Sequence, residues 1–233
     1  MRLVFLGPPG VGKGSLASLC EARLGIRHIS TGEIFRQEIA QKTPLGRRVA
    51  AHVANGRLVP DALVVRVMAA HLRPAVLRGG FVLDGFPRTQ GQAAGLDRVL
   101  RRHRHPLDGA VYLTSPQALL IKRLSGRRVC SRCGANYHVR TMKPKRPGRC
   151  DRCGGALMTR KDDQIQTIRK RLSVVRAATN PLLRYYRRSG LLHLVDGRGH
   201  IDTVFRRAMN LFRQQRWASG SGRDDRTQKR PRN

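Results

Sequence analysis

Arg2-Leu-Val-Phe-Leu6 runs directly into Gly7-Pro-Pro-Gly-Val-Gly-Lys13-Gly-Ser15, and Leu16 to Leu24 follows. A short apolar run bounded by a glycine-rich turn reads as a buried strand, and the spacing of Leu16, Leu19, Cys20 and Leu24 reads as one face of a helix. Strand, glycine loop and helix in that order make the first unit of a parallel sheet. Gly7, Gly10, Gly12 and Gly14 let successive backbone N–H groups turn inward around a polyphosphate, while the helix behind them offers the positive end of its dipole. Lys13 supplies a mobile charge for the outer phosphates. The Ser or Thr that usually follows such a lysine directly stands one place later, as Ser15.

Working outward, buried strands are expected at Gly80–Asp84, Ala110–Leu113 and Leu191–Asp196, with helices at Asp61–Leu72, Gln90–Arg102 and Pro116–Leu124 between them. Strands alternating with helices imply right-handed crossovers in a doubly wound sheet. Two stretches do not fit that rhythm. Ser30–Pro60 reads as all-helical, and Arg127–Asp163 carries four cysteines with Pro144 and Pro147 between them, so both are expected insertions. A helical pattern resumes at Asp163, with Asn180-Pro181 marking a kink or break, and a last helix is expected over Ile201–Arg216. The expected organisation is a core of residues 1–29, 61–126 and 164–217, a helical insertion at 30–60 and a small flap at 127–163. Residues 218–233, glycine, serine and charge without apolar periodicity, read as a disordered basic tail.

Cys130-Ser-Arg-Cys133 and Cys150-Asp-Arg-Cys153 form two Cys-x-x-Cys pairs, which in a reducing compartment mean a metal more often than disulfides. Four thiolates with no open position describe a structural zinc site, and metal ligation would replace the core that so small a flap lacks. Iron also suits four thiolates, and redox-active pairs are the competing reading. His138, between the pairs, is expected to pack rather than ligate, and Cys20 is expected to be a core residue.

Asp84-Gly-Phe-Pro-Arg88-Thr89 closes the second expected strand. A carboxylate at the C-terminal edge of a parallel strand, near a phosphate loop, suits the water shell of Mg²⁺, with Arg88 poised over a phosphate. For Asp84 the rival reading is a cap on the helix that follows Pro87.

Lys and Arg number 47 against 14 Asp and Glu, a formal charge of +33 and more than a phosphate site needs. Such a surface attracts polyanions in a salt-dependent way. The charges are scattered and aromatic residues make up only 5% of the chain, so non-specific polyanion binding is expected and specific nucleic-acid recognition is not. No apolar stretch reaches membrane-spanning length, and Met1–Leu6 is too short for a signal-peptide core. A soluble, cytoplasmic chain with no membrane partner is expected.

Seven motifs occur in order: Gly7–Ser15, Ile29-Ser-Thr-Gly-Glu-Ile-Phe-Arg36, Gly56-Arg-Leu-Val-Pro-Asp61, Asp84–Thr89, Gly126-Arg-Arg-Val129, Arg160-Lys-Asp-Asp-Gln164 and Arg169-Lys-Arg-Leu172. On these the chain resembles adenylate kinase, in its long form with a zinc-bearing lid, along its length to about Trp217. The resemblance implies an α/β P-loop fold, a doubly wound parallel sheet flanked by helices with a helical nucleoside-monophosphate insertion and a zinc lid. It implies reversible transfer of the γ-phosphoryl group of Mg²⁺-bound ATP to AMP, giving two ADP, by a monomer. Lys13, Arg88, Arg123, Arg160 and Arg171 would surround the transferring group. Gly10, Gly12, Lys13, Gly14, Ser15, Arg123, Arg127, Tyr137 and the backbone near Arg198 would hold ATP. Thr31, Arg36, Arg57, Val59, Gly85, Arg88, Gln92, Arg160 and Arg171 would hold AMP, with Thr31 and Gln92 selecting adenine. Asp162 and Asp163 would help keep the lid closed. The departures are Glu33, where the family usually has Asp, and Ser15, where it often has Thr.

Elementary chemistry agrees with that inventory. A phosphate monoester has its second pKa near ~6, so the acceptor is already a nucleophile at neutral pH and no general base is required. Phosphoryl transfer needs positioning and fixed cations, for which guanidinium forks are suited, and it needs water kept out, for which closing lids are the general solution. Two rival readings remain: a kinase for another nucleoside monophosphate, and a nucleic-acid-binding protein using the cysteine segment as a zinc ribbon and the tail as an electrostatic arm.

Overall fold

The computed structural model describes residues 1–217, and the expected basic tail lies outside the described residues. In chain order the elements are β1 (Arg2–Leu6), α1 (Lys13–Leu24), β2 (Arg27–Ser30), α2 (Thr31–Ala40), α3 (Pro44–Ala54), α4 (Asp61–His71), α5 (Pro74–Gly79), β3 (Phe81–Asp84), α6 (Gln90–Arg102), β4 (Gly109–Thr114) and α7 (Gln117–Ser125). They continue with β5 (Arg127–Cys130), β6 (Asn136–His138), β7 (Leu157–Met158), a 3₁₀ turn at Lys161–Asp163, α8 (Ile165–Arg188), β8 (Leu192–Asp196) and α9 (Ile201–Gln214).

Five strands form one sheet in the order β2-β3-β1-β4-β8, every pair parallel. The central strands β3, β1 and β4 are apolar on both faces because both faces are covered. Val4, Leu6 and Leu83 pack under α2, α3, α4, α6 and the second half of α8, through Phe35, Val49, Met68, Leu96, Leu182 and Tyr186. Leu3, Phe5 and Val82 pack under α1, α7, α9 and the first half of α8, through Leu16, Cys20, Leu124, Phe205 and Ile168. The crossover from β1 runs to β2 on one side of the sheet and that from β3 to β4 on the other, so the crevice outside the strands' C-terminal ends opens beside the glycine loop.

Two stretches lie largely outside that sheet, the helices α2 and α3 after β2 and the segment from β5 to the 3₁₀ turn. α2 starts at Ser30, whose hydroxyl accepts the Glu33 N–H at 3.4 Å, and α3 starts at Thr43-Pro44, with the Thr43 hydroxyl accepting the Gly46 N–H at 3.0 Å. These helices approach so closely that a Cβ on Gly46 would collide with the Glu38 carbonyl. β5, β6 and β7 form a separate antiparallel sheet in the order β6-β5-β7. Among the described residues no helix is long and apolar enough to cross a membrane.

One expectation needs correction. Of the kink or break expected at Asn180-Pro181, the break does not occur: α8 runs from Ile165 to Arg188 with Pro181 inside it. Ile168 and Leu172 before the proline and Leu182 and Tyr186 after it are all buried, and burial on both sides outweighs the roughly 3 kcal/mol that an interior proline costs. β2 and α5 carried no expectation. β2 is a four-residue edge strand whose first half, Arg27-His28, is polar, so its period is too short to read.

Candidate active site

Gly7, Gly10 and Gly12 have φ of 133°, 82° and 107°, the left-handed region open to glycine, and they wrap the loop around the start of α1. Gly12 occupies the cap position of α1 with no side-chain cap among the described residues, leaving first-turn N–H groups for an anion. Lys13 folds back over the loop, its Nζ donating to the Gly7 carbonyl at 2.8 Å and the Pro8 carbonyl at 3.1 Å. Burial lowers its pKa to about 8; the Asp84 carboxylate opposes this, and Arg88, Arg171 and Arg127 reinforce it.

Asp84 ends β3 and faces the loop: a Cβ on Gly14 would lie 3.1 Å from its Oδ2. It does not cap α6. That role belongs to Thr89, whose hydroxyl accepts the Gln92 N–H at 3.1 Å. Burial pushes the Asp84 pKa up, but His28 and Lys13 together outweigh it and hold the carboxylate below its usual range. His28, which no motif singled out, is itself buried, with Nε2 at 3.9 Å from Asp84 Oδ2. That is beyond hydrogen-bond reach, so the pair interacts through charge. Against its own burial, the nearby carboxylate raises the His28 pKa. Asp84 and the Ser15 hydroxyl line one cleft, an ionised carboxylate and a hydroxyl beside a phosphate loop, which fits Mg²⁺ arriving with a nucleotide.

That cleft has a volume of about 550 Å³, and Arg36, Arg88, Arg123, Arg127, Arg160 and Arg171 line it together with Lys13. A recess of about 70 Å³ adjoins it, lined by Thr31, Arg57, Val59 and Gln92, and Arg36, Gly85, Arg88 and Arg171 belong to both. Burial lowers the pKa of Arg36, Arg88 and Arg160, the last to about 9, and the neighbouring guanidinium groups push the same way. Arg160 donates from Nη2 to Asn136 Oδ1 at 3.2 Å, while its buried Nε has no partner among the described residues. Buried like charges that repel one another form a receptor for a polyanion.

Other arginines are tied. Arg127 forks onto Asp163 at 2.7 and 2.6 Å, and Arg171 pairs with Asp162 at 2.9 Å and Asp163 at 3.2 Å, which links β5 to α8 through the 3₁₀ turn. Arg123 donates to the carbonyls of Val11, Gly197 and Gly199 at 3.2, 2.9 and 3.0 Å, fastening α7 to the phosphate loop and to the loop after β8.

Gly10, Gly12, Gly14, Ser15 and Tyr137 line the large cleft. The Arg198 side chain is turned to solvent and paired with Asp196 at 2.9 Å, while its neighbours Gly197 and Gly199 line the cleft with Ile201. Gln92 is buried with both ends of its amide engaged: Oε1 accepts the Arg88 N–H at 2.8 Å and Nε2 donates to Asp61 Oδ1 at 2.9 Å. Asp61 Oδ2 also accepts the Thr89 hydroxyl at 2.7 Å. Asp61 is thus a hub beneath the recess that sequence reasoning registered as the start of a helix and the end of the Gly56–Asp61 motif, with no role of its own.

The four sulfur atoms of Cys130, Cys133, Cys150 and Cys153 lie within 4.8 Å of one another. Cys130–Cys153 and Cys133–Cys150 are 3.4 and 3.5 Å apart, close to the edge of a tetrahedron with metal–sulfur bonds of ~2.3 Å. Backbone N–H groups of Arg132 and Cys133 point at Cys130 Sγ at 3.4 and 3.5 Å. The Tyr137 hydroxyl and then nearby backbone amides bring the Cys150 thiol down to about 6. The quartet fits a metal ion. Cys20 is separate, buried in the core with its thiol pushed up to about 12 by burial. His138 packs rather than ligates, its Nδ1 accepting the N–H groups of Arg140 and Thr141 at 3.1 and 3.2 Å.

A phosphate loop at the sheet's switch point, two adjoining recesses joined by shared arginines, and a cysteine-clasped flap define a P-loop protein that handles two phosphate-bearing ligands side by side. The family model described as Adenylate kinase matches residues 5–191, and the chain belongs to that family. Among curated relatives named adenylate kinase, that of Moorella thermoacetica is 48% identical over 204 residues, covering 88% of this chain and 94% of the relative. Those of Clostridium tetani and Thermosipho melanesiensis are 43% and 42% identical, covering 91% and 92% of this chain and 98% and 100% of the relatives.

Proposed function

We propose that the chain transfers the γ-phosphoryl group of ATP to AMP and back, giving two ADP, and that the two recesses hold the two nucleotides. The observation that carries this reading is the seam: Arg36, Arg88 and Arg171 line both recesses, so one set of guanidinium groups reaches the phosphates of either ligand. ATP lies along the loop, with its phosphates on Gly10, Gly12 and Gly14 and its base by the loop 197–199. AMP lies in the smaller recess against Thr31, Val59 and Gln92, with Arg57 at its rim. Ser15 and Asp84 would hold Mg²⁺ arriving with ATP, and the ion would supply neutralisation of phosphate charge there.

Transfer then follows from charge and position. Lys13 leaves the Gly7 and Pro8 carbonyls for the outer phosphates, exchanging two neutral acceptors for an anionic one. Arg88 holds the AMP phosphate in line, and Arg123, Arg127, Arg160 and Arg171 stabilise charge on the group in flight. We assign residues 1–29, 61–126 and 164–217 to the core, 30–60 to the AMP-binding insertion and 127–163 to a lid held by zinc. The Asp163 pairs with Arg127 and Arg171 support a lid that closes onto the core and excludes water. ATP and AMP as substrates and reduced cysteines suit a monomer working in the cytoplasm.

A coupled assay with ATP and each of AMP, UMP, CMP and GMP tests this. AMP should be turned over far faster than the others, and Lys13→Ala should lose about 10²- to 10³-fold in kcat. Faster turnover of UMP or GMP, or tight salt-sensitive nucleic-acid binding without transfer in either protein, would replace this reading with one of its rivals.

A further inference from the structure

Tyr137 belongs to two sites. It is buried, only 7% exposed, and is one of the residues that line the large cleft, while its side chain packs with Cys130 and Cys150. Its hydroxyl accepts the Asp151 N–H at 2.7 Å and lies 3.4 Å from Cys150 Sγ. A phenol oxygen whose lone pair takes a backbone N–H still has its own proton to give, and the sulfur is the acceptor in reach. Asp151 is fixed in turn, its Oδ1 accepting the Lys145 N–H at 2.9 Å. The second cysteine pair is therefore anchored through a residue that is also part of the cleft lining. The first pair is different: Cys130 Sγ is held by the local N–H groups of Arg132 and Cys133, which do not touch the cleft wall.

We propose that Tyr137 is a positioning residue for the metal centre and couples it to the cleft, its hydroxyl holding Cys150 while a nucleotide braces its ring. The coupling rests on the reading that the cleft takes ATP. Groups that hydrogen-bond a ligating atom fix its orientation, and removing one costs about 10- to 100-fold in metal affinity. Linkage is reciprocal in free energy, so a nucleotide that rigidifies the ring tightens metal binding, which a slower release reports, and the metal in turn tightens nucleotide binding.

The test uses the full-length, zinc-loaded protein and follows zinc transfer to a coloured chelator, with and without a non-hydrolysable ATP analogue and excess Mg²⁺. Tyr137→Phe keeps the ring and removes only the hydroxyl. Without nucleotide it should release zinc about 10- to 100-fold faster than the wild type. The analogue should slow wild-type release about fivefold or more, and that slowing should shrink in Tyr137→Phe. Cobalt-loaded Tyr137→Phe should keep a tetrahedral spectrum, showing an intact fold, with its sulfur-to-cobalt band shifted by the lost hydrogen bond. Wild-type release by Tyr137→Phe with an unshifted band overturns the proposal. So does an analogue that binds by calorimetry yet leaves wild-type release unchanged. An analogue that fails to bind at all overturns the functional reading instead, and Tyr137→Phe without nucleotide still judges the hydroxyl contact alone.

Discussion

Lys13 is charged at a cost. Burial brings its pKa down from 10.5 to about 8, so the folded, ligand-free protein releases this proton before the unfolded chain does. Below about 8 the buried ammonium opposes folding, and that penalty is relieved as pH rises through the folded value. A polyphosphate reverses the balance by giving the ammonium an anionic partner, so binding raises the pKa and draws a proton from solvent. Calorimetric titration with ATP near pH 8.5, in two buffers of different ionisation heat, should show net proton uptake that is absent in Lys13→Met. Buffer-independent heats would mean that Lys13 does not meet the phosphates. Asp61 gives a second prediction at this scale. Its carboxylate orients the Gln92 amide and the Thr89 hydroxyl from beneath the smaller recess, the one proposed for AMP, without lining it. Asp61→Ala leaves both unpaired, so KM for AMP should rise about tenfold, with a smaller change in kcat, in initial rates at fixed ATP. An unchanged KM would show that Gln92 keeps its pose unaided. The motifs made Lys13, Arg88 and Asp84 legible, since each stands at a fixed offset from a glycine turn or a strand end. Asp61 and His28 were not legible, because an Asp after a proline and a His in a short strand each have many commoner uses.

Elements that bury a periodic face were readable at nearly their observed bounds, Gln90–Arg102 and Arg2–Leu6 among them, because burial against a sheet imposes a period that survives in one sequence. α8 shows where that fails. Pro181 is a strong local signal, yet tertiary packing before and after it decides the outcome. The flap is the opposite case, with strands Asn136–His138 and Leu157–Met158 too short for any period and only its cysteines legible. Its buried apolar cluster is small, centred on Cys130, Tyr137 and Cys150, so a metal held by the four cysteines would supply what a core supplies elsewhere. Stripping the metal with a chelator should lower Tm and open Val139–Arg149 to protease ahead of the core. An unaltered melt and cleavage pattern in a sample verified to be metal-free would count against a structural metal.

At the scale of the whole molecule the excess charge has a physical layout. α1, α6 and α8 each lead into a strand of one parallel sheet, so they end at the edge opposite the phosphate loop. Each carries arginine in its last turn, Arg23, Arg101 and Arg102, or Arg187 and Arg188, where a cation meets the negative end of a helix dipole. Positive charge therefore collects at that edge as well as in the cleft, and a net +33 is more than these dipoles can offset. Self-repulsion of this kind opposes the compact state, whereas attraction of the same field for a polyphosphate favours binding. Salt weakens both, since the Debye length falls from roughly 20 Å near 20 mM to under about 6 Å near 300 mM. Raising sodium chloride over that range should lift the Tm of the metal-loaded protein while reducing its affinity for ATP, two slopes of opposite sign from one cause. Chloride is the informative salt, because sulfate also stabilises by exclusion from the surface. If arginines and carboxylates were instead compensated locally, Tm would stay flat or fall as ion pairs were screened, and a flat or falling Tm beside a falling affinity would confine the electrostatic effect to the cleft.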